Sequence, residues 1–316
     1  MMSSYQKAHH ITKCLQLATM LEVSIQKPGN VSFSASFKET RVEHFLASAI
    51  ASGPSLHRAA TRGIAVTKKQ IAPQKLGMGN LIKTCIADIA AWQHGGNTIL
   101  GTVMLFVPLA VAAGMTAIEK NGGFDFSILR QNLDLAIRAT TAKDAVQLYE
   151  AIEIACPSGL GDVSELDVTD LTSKKKLLKR QISLLEVCNL ASSYDDICHE
   201  WANNYPITFD LAYPYLWKQL NSKPLNVAVV HTFLYVLSNH PDTFIARKMG
   251  NTKAQEISKE AKNIIALGGL ETPTGKESIY AFDKKLRLKE NTCNPGTTAD
   301  LTATALALCV LGGYRP

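Results

Sequence analysis

Two stretches of this 316-residue chain, 227–237 and 301–311, are apolar on most of their sides, and that narrows the folds open to it more than any other feature. A helix with one apolar stripe can lie on a surface, whereas a helix apolar all round must be enclosed by others. The enclosing helices are legible too. Leu81, Ile82, Cys85, Ile86, Ile89 and Ala90 recur at helical spacing, as do Phe45, Leu46, Ala49 and Ile50, and Leu177, Leu178, Ile182, Leu185 and Cys188. Strand-like alternation is confined to Val31, Phe33, Ala35 and Phe37, which fits an extended arm or a short hairpin strand. The expected fold is all-α: one multi-helix, bundle-like domain of about ten helices over residues 1–316, with little or no sheet. Breaks containing Gly and Pro separate the helices, and none is long enough to be a linker.

Composition excludes several classes. A net charge of +6 is too small to argue for nucleic acid, and the densest basic run, Lys174, Lys175, Lys176, Lys179 and Arg180, reads as a solvated helix start. The seven cysteines are widely spaced and form no CxxC pair, which argues against a disulfide framework and structural zinc. The longest apolar run, from Ile99 to Ala113, contains Gly101 and Pro108 and falls short of a membrane span. No signal-like apolar stretch opens the chain, so a cytoplasmic protein is expected, with no membrane partner. Its oligomeric state stays open, a homodimer being one option.

Chemistry-bearing residues gather at the breaks. Asn294-Pro295-Gly296-Thr297-Thr298-Ala299-Asp300 leads into the apolar 301–311 helix. Thr297 or Thr298 is the expected N-cap, and Asp300 either complements the helix dipole from the first turn or coordinates Mg²⁺. Asp242 follows Pro241 and precedes Arg247 and Lys248, as a salt-bridged turn or as a metal ligand beside a phosphate clamp. His94-Gly95-Gly96-Asn97-Thr98 opens the buried run from Ile99, where paired glycines and a helix start suit phosphate oxygens. There is neither a Walker A ending nor a GxGxxG after a strand. Lys27-Pro28-Gly29-Asn30 is a turn, with Glu39 beyond it. His231, inside an apolar helix, reads as a satisfied core histidine. His199, near Asp195, Asp196 and Glu200, is either a surface cluster or part of a site.

Taken in order, these segments resemble the triphosphoribosyl-dephospho-CoA synthase family. The resemblance is carried by Lys27-Pro28-Gly29-Asn30-Val31, by Glu43-His44-Phe45-Leu46-Ala47-Ser48-Ala49 and by Asn97-Thr98-Ile99-Leu100-Gly101. Pro157-Ser158-Gly159-Leu160-Gly161, Pro241-Asp242-Thr243-Phe244-Ile245-Ala246-Arg247-Lys248 and Asn294 to Leu301 add to it. It implies an enzyme that joins ATP to 3′-dephospho-CoA and releases adenine, with Mg²⁺ on the triphosphate. It further implies Glu39, Asp242 and Asp300 for metal and base work. Lys27, Arg247 and Lys248 would contact phosphates, and Asn30, Asn97 and Thr98 would orient ligands.

The citrate-lyase type members carry a His-Lys pair in the loop that here reads Gly95-Gly96-Asn97-Thr98-Ile99-Leu100-Gly101, and this chain lacks it. The spelling is closer to the archaeal-type branch, some of whose members are associated with the tetrahydromethanopterin-linked C1 pathway. Two alternatives therefore stand beside the leading one. One is an ATP-using relative acting on another cofactor precursor, and the other is a non-catalytic helical ligand-binding protein.

Overall fold

The computed structural model describes residues 2–119, 122–158, 165–288 and 292–316, so Gly159, Leu160 and Gly161 of the segment Pro157-Ser158-Gly159-Leu160-Gly161 lie outside the described residues. The N-terminal half runs α1 (Ser4–Ser24), α2 (Val42–Ala51), α3 (Gly53–Thr67), α4 (Met78–Trp92), α5 (Leu100–Met115), α6 (Phe126–Arg138) and α7 (Ala142–Ala155). Short helices follow: α8 (Ser173–Arg180), α9 (Leu184–Ala191), α10 (Asp196–Ala202), a π-helical turn (Ile207–Ala212) and α11 (Tyr213–Leu220). The chain closes with α12 (Leu225–Asn239), α13 (Thr243–Met249), α14 (Asn251–Ala266), α15 (Pro273–Leu286) and α16 (Gly296–Leu311). The all-α expectation holds, but the helices exceed the expected ten because seven- and eight-residue pieces such as α9, α10 and α13 show too little periodicity to be read. The expected strand at Val31–Phe37 reduces to one bridge between Ser32 and Ala35. Among the described residues, no helix is long and apolar enough to cross a membrane.

The helices that are apolar all round occupy the centre, as their composition demands. Every residue of α16 from Leu301 to Leu311 is buried, and α5 is buried from Thr102 to Gly114. Helix α1 packs on both, and α3 lies against α5. The α3–α5 approach is backbone to backbone: a Cβ on Gly63 would come within 2.1 Å of the Val111 carbonyl. Pro108 sits inside α5 and has no N–H to offer the Met104 carbonyl one turn earlier. The Trp201 indole N–H from α10 donates to that carbonyl at 3.1 Å, and the Tyr205 hydroxyl donates to the neighbouring Leu105 carbonyl at 3.1 Å. The proline's vacancy thus docks α10 onto the core at the N-terminal half of α5. On the rim, α8 carries the basic run, and Lys174, Lys176 and Arg180 pair with Glu153, Asp170 and Glu165. His231 is a core histidine whose Nε2 accepts from the Leu270 N–H at 3.0 Å.

Candidate active site

A cavity of roughly 300 Å³ opens where α5 and α16 begin and α1 ends. Thr19 and Glu22 of α1, Gly101 and Thr102 of α5, and Gly296, Thr297 and Asp300 of α16 form one side. The loop before α5 and the turn after α1 contribute Asn97, Thr98 and Asn30. From α10 and α13 come Asp195, Phe244 and Arg247. Residues of α7, α9 and the segment 165–168 close the far side.

Asp300 lies a turn inside α16 rather than in its first turn, because the helix begins at Gly296. The Thr102 hydroxyl donates to Asp300 Oδ1, which ties the carboxylate to the first turn of α5. Its other oxygen sits where a side chain on Gly101 would be, since a Cβ there would lie 2.1 Å from Oδ2. Burial pushes the Asp300 carboxyl up to about 7; Thr102 pulls it back, and the Glu22 and Asp242 charges add to the rise. Glu22 is buried, and its Oε1 has no hydrogen-bond partner although Lys27 Nζ stands 3.0 Å away as an ion pair. Two carboxylates thus share one cavity wall, Asp300 held by a hydroxyl and Glu22 by an ammonium.

Several residues named from sequence occupy other positions. Lys27 is 1% exposed, and its ammonium donates to the Glu22 and Ile25 carbonyls at the end of α1 as well as pairing with Glu22. It closes a helix C-terminus and does not face the cavity, which corrects its assignment to phosphate. Asp242 is also 1% exposed. Its Oδ1 accepts from the Phe244 and Ile245 N–H groups at 3.0 Å, and its Oδ2 accepts from the Thr298 N–H and hydroxyl at 2.7 Å. Thr297 and Thr298 are therefore not the caps of α16; Asp242 caps α13 and binds the first turn of α16 as well. With four donors already on its oxygens it lacks lone pairs for a metal. Glu39 is exposed and absent from the cavity wall, although Phe37 and Thr40 on either side of it belong to that wall. Lys248 is half-buried with its ammonium 3.8 Å from the centre of the Phe244 ring, and it also lies outside the wall.

The structure does bring together Asn30, Asn97, Thr98, Arg247 and Asp300. Asn97 accepts from the Leu100 N–H at 3.2 Å, so it caps α5 from the loop. Thr98 shares a 2.7 Å hydrogen bond with Ser48 of α2, which fixes the loop. The Arg247 guanidinium is held by Asp195, which itself caps α10 through the Cys198 N–H at 2.9 Å. The acidic cluster around His199 thereby divides. Asp195 reaches the cavity, Asp196 is pushed up to about 7 mainly by burial, and Glu200 caps the π-helical turn through the Ile207 N–H.

Sequence reasoning missed Glu22 and Thr102, and left Asp195 open between a surface cluster and a site. Glu22 had a signal: a carboxylate on the stripe Leu15, Ala18, Thr19, Val23 that is otherwise buried and uncharged. Thr102 had none, because a threonine inside an apolar run is ordinary.

Two comparisons bear on most of the chain. The CitG family, described as ATP:dephospho-CoA triphosphoribosyl transferase, matches residues 8–316. A crystal structure from Archaeoglobus fulgidus, provisionally named a triphosphoribosyl-dephospho-CoA synthase, superposes with a TM-score of 0.63 at 25% identity, over 87% of this chain and 100% of that one. This chain belongs to the ATP:dephospho-CoA triphosphoribosyl transferase family.

Proposed function

We propose that the chain transfers the triphosphoribosyl group of ATP to 3′-dephospho-CoA, with Asp300 as the base. The acceptor's 2′-hydroxyl oxygen bonds to C1′ of the ATP ribose, the bond from C1′ to adenine breaks, and adenine leaves with the bonding pair and gains a proton. The triphosphate stays on the sugar. Asp300 receives the hydroxyl proton, a role for which a carboxyl near 7 is well matched to neutral pH. The supporting observation is the paired Glu22 and Asp300 in a cavity whose wall also carries Arg247, Asn30 and Asn97. Arg247 faces phosphate oxygens, the two asparagines orient the ribose and the phosphates, and the two carboxylates favour a sugar that gathers positive charge.

Magnesium fits this wall. Among the described residues no three His, Cys, Asp or Glu side chains form a cation site. A magnesium ion taken up with a nucleotide needs only one or two protein carboxylates, phosphates and water supplying the rest. Glu22, a buried carboxylate of the wall, would hold it, and the ion would offset the charge of the triphosphate. The purified protein incubated with ATP, Mg²⁺ and dephospho-CoA should yield free adenine and a product heavier by one triphosphoribosyl group. Intact ATP and acceptor after prolonged incubation would defeat the reading.

A further inference from the structure

The far side of the cavity is built differently from the side that holds Asp300. Its wall is Tyr149 and Ile152 of α7, Leu166 and Val168 of the following segment, and Val187 and Ala191 of α9. The Tyr149 hydroxyl donates to the Leu166 carbonyl at 2.5 Å, which fastens that segment to α7 and removes the wall's most obvious polar group. Helix α9 packs on α7 and α10, and α10 in turn reaches α5 and α16, so α10 joins the trough to the helices that begin at the carboxylates, and its Ile197 and Cys198 line the same cavity. At its lip, Leu190 is 57% exposed and Tyr194 41%, so the apolar surface of the trough continues out to solvent.

A triphosphate cannot use such a surface. Among the described residues of the whole wall, Arg247 is the one cationic side chain, and it lies on α13; the charged groups of the trough itself are Asp167 and Glu165, the latter paired with Arg180 of α8. Phosphates placed there would meet like charge and apolar carbon. A buried purine would not need the exposed lip. The ligand part that fits is an uncharged, flexible, largely aliphatic chain continuous with a nucleotide and able to run out to solvent.

We infer that the trough formed by α7, residues 165–168 and α9 holds the pantetheine arm of the acceptor, with Leu190 and Ala191 setting selectivity for acceptors that carry that arm. This rests on the proposed reaction, because that reaction names dephospho-CoA, in which a nucleoside diphosphate bears the arm. The arm enters over Leu190 and Tyr194, lies against Ile152, Val168 and Val187, and leaves the adenosine end of the acceptor facing Asp300.

Calorimetric titration of the full-length protein with dephospho-CoA and with ADP, which keeps the nucleoside diphosphate and lacks the arm, tests it. Dephospho-CoA should bind at least about tenfold more tightly than ADP, a modest return for several buried methylenes. Ala191→Trp, which fills the trough, and Leu190→Asp, which charges its exposed lip, should each weaken dephospho-CoA about tenfold and move ADP less than about threefold. Leu190 is exposed enough that its variant tests the trough even if the tryptophan disturbs folding. Equal affinities for the two ligands, or equal losses for both in the variants, would overturn the assignment; the second result would put a purine in the trough instead. Selective loss of dephospho-CoA affinity without adenine release would leave the trough standing and remove the reaction. Adenine release without that selectivity would do the reverse.

Discussion

Asp242 and Asp300 stand on opposite sides of the start of α16, and their surroundings differ in the one respect that separates structure from chemistry. Asp242 accepts two backbone N–H groups of its own helix and the N–H and hydroxyl of Thr298, all in the interior. Asp300 has the hydroxyl and the backbone N–H of Thr102 alone, a bare glycine against its second oxygen, and a second carboxylate, Glu22, as an electrostatic neighbour. Both carboxyls are pushed upward by burial, so the direction of a shift does not tell them apart. Satisfaction of the oxygens does. A carboxylate whose lone pairs are all occupied holds helices together; one left short of donors at a cavity wall is free to take a proton.

The largest expected effect sharpens that contrast. Asp300→Asn should lower the rate of adenine release by about 10²–10⁴-fold, the usual weight of a positioned acid or base, with no loss of melting temperature. Asp242→Asn should reverse the pattern: its new amide N–H₂ would face the Thr298 N–H, and about 2–4 kcal/mol of stability should go with the lost bonds. Equal stability losses in a paired chemical-denaturation series would erase the distinction. A smaller effect is expected from Gly101→Ala. The added methyl would sit within 2.1 Å of Asp300 Oδ2 and must turn the carboxylate away. Turnover should fall about 10–100-fold by misplacement alone, while stability holds or improves because alanine suits a helix better. Unchanged turnover would mean that the position of Asp300 does not matter to the chemistry.

The same contrast explains what the chain revealed before its fold was known. Apolar periodicity is a property of one segment at a time, so α4, α5 and α16 were legible, as was the placement of the all-apolar helices at the centre. Asp300, Asn97 and Arg247 were legible as polar residues beside helix starts, and they do share a cavity. Lys27 and Asp242 looked the same by that criterion and turned inward, because whether a side chain meets a carbonyl of its own helix or a ligand depends on its partners. The partners of Asp242 lie 56 residues away on α16. Glu39 illustrates the opposite failure. It was favoured as an acidic residue near a turn, yet the cavity takes its carboxylate from Glu22, one helix earlier and on a stripe that reads as core.

The smallest effect, a shift in melting temperature with pH, tests Asp300 without any substrate. An aspartate in the unfolded chain titrates near 3.9, as a rough reference, whereas Asp300 in the folded chain titrates near 7. Between those values the folded protein holds a proton that the unfolded chain has released, so the contribution of Asp300 is fully present below about 4 and is lost as pH rises through about 7. Asp300→Asn removes the titration. In metal-free buffer its melting temperature should therefore gain on the wild type as pH climbs from 4 to 8. Asp196 and Glu200, also raised by burial to about 7 and about 8, titrate alike in both proteins and cancel in the difference. A difference that stays flat over that range would show that burial does not raise the Asp300 carboxyl. The wall at the start of α5 and α16 would then be a helix junction with no proton to accept.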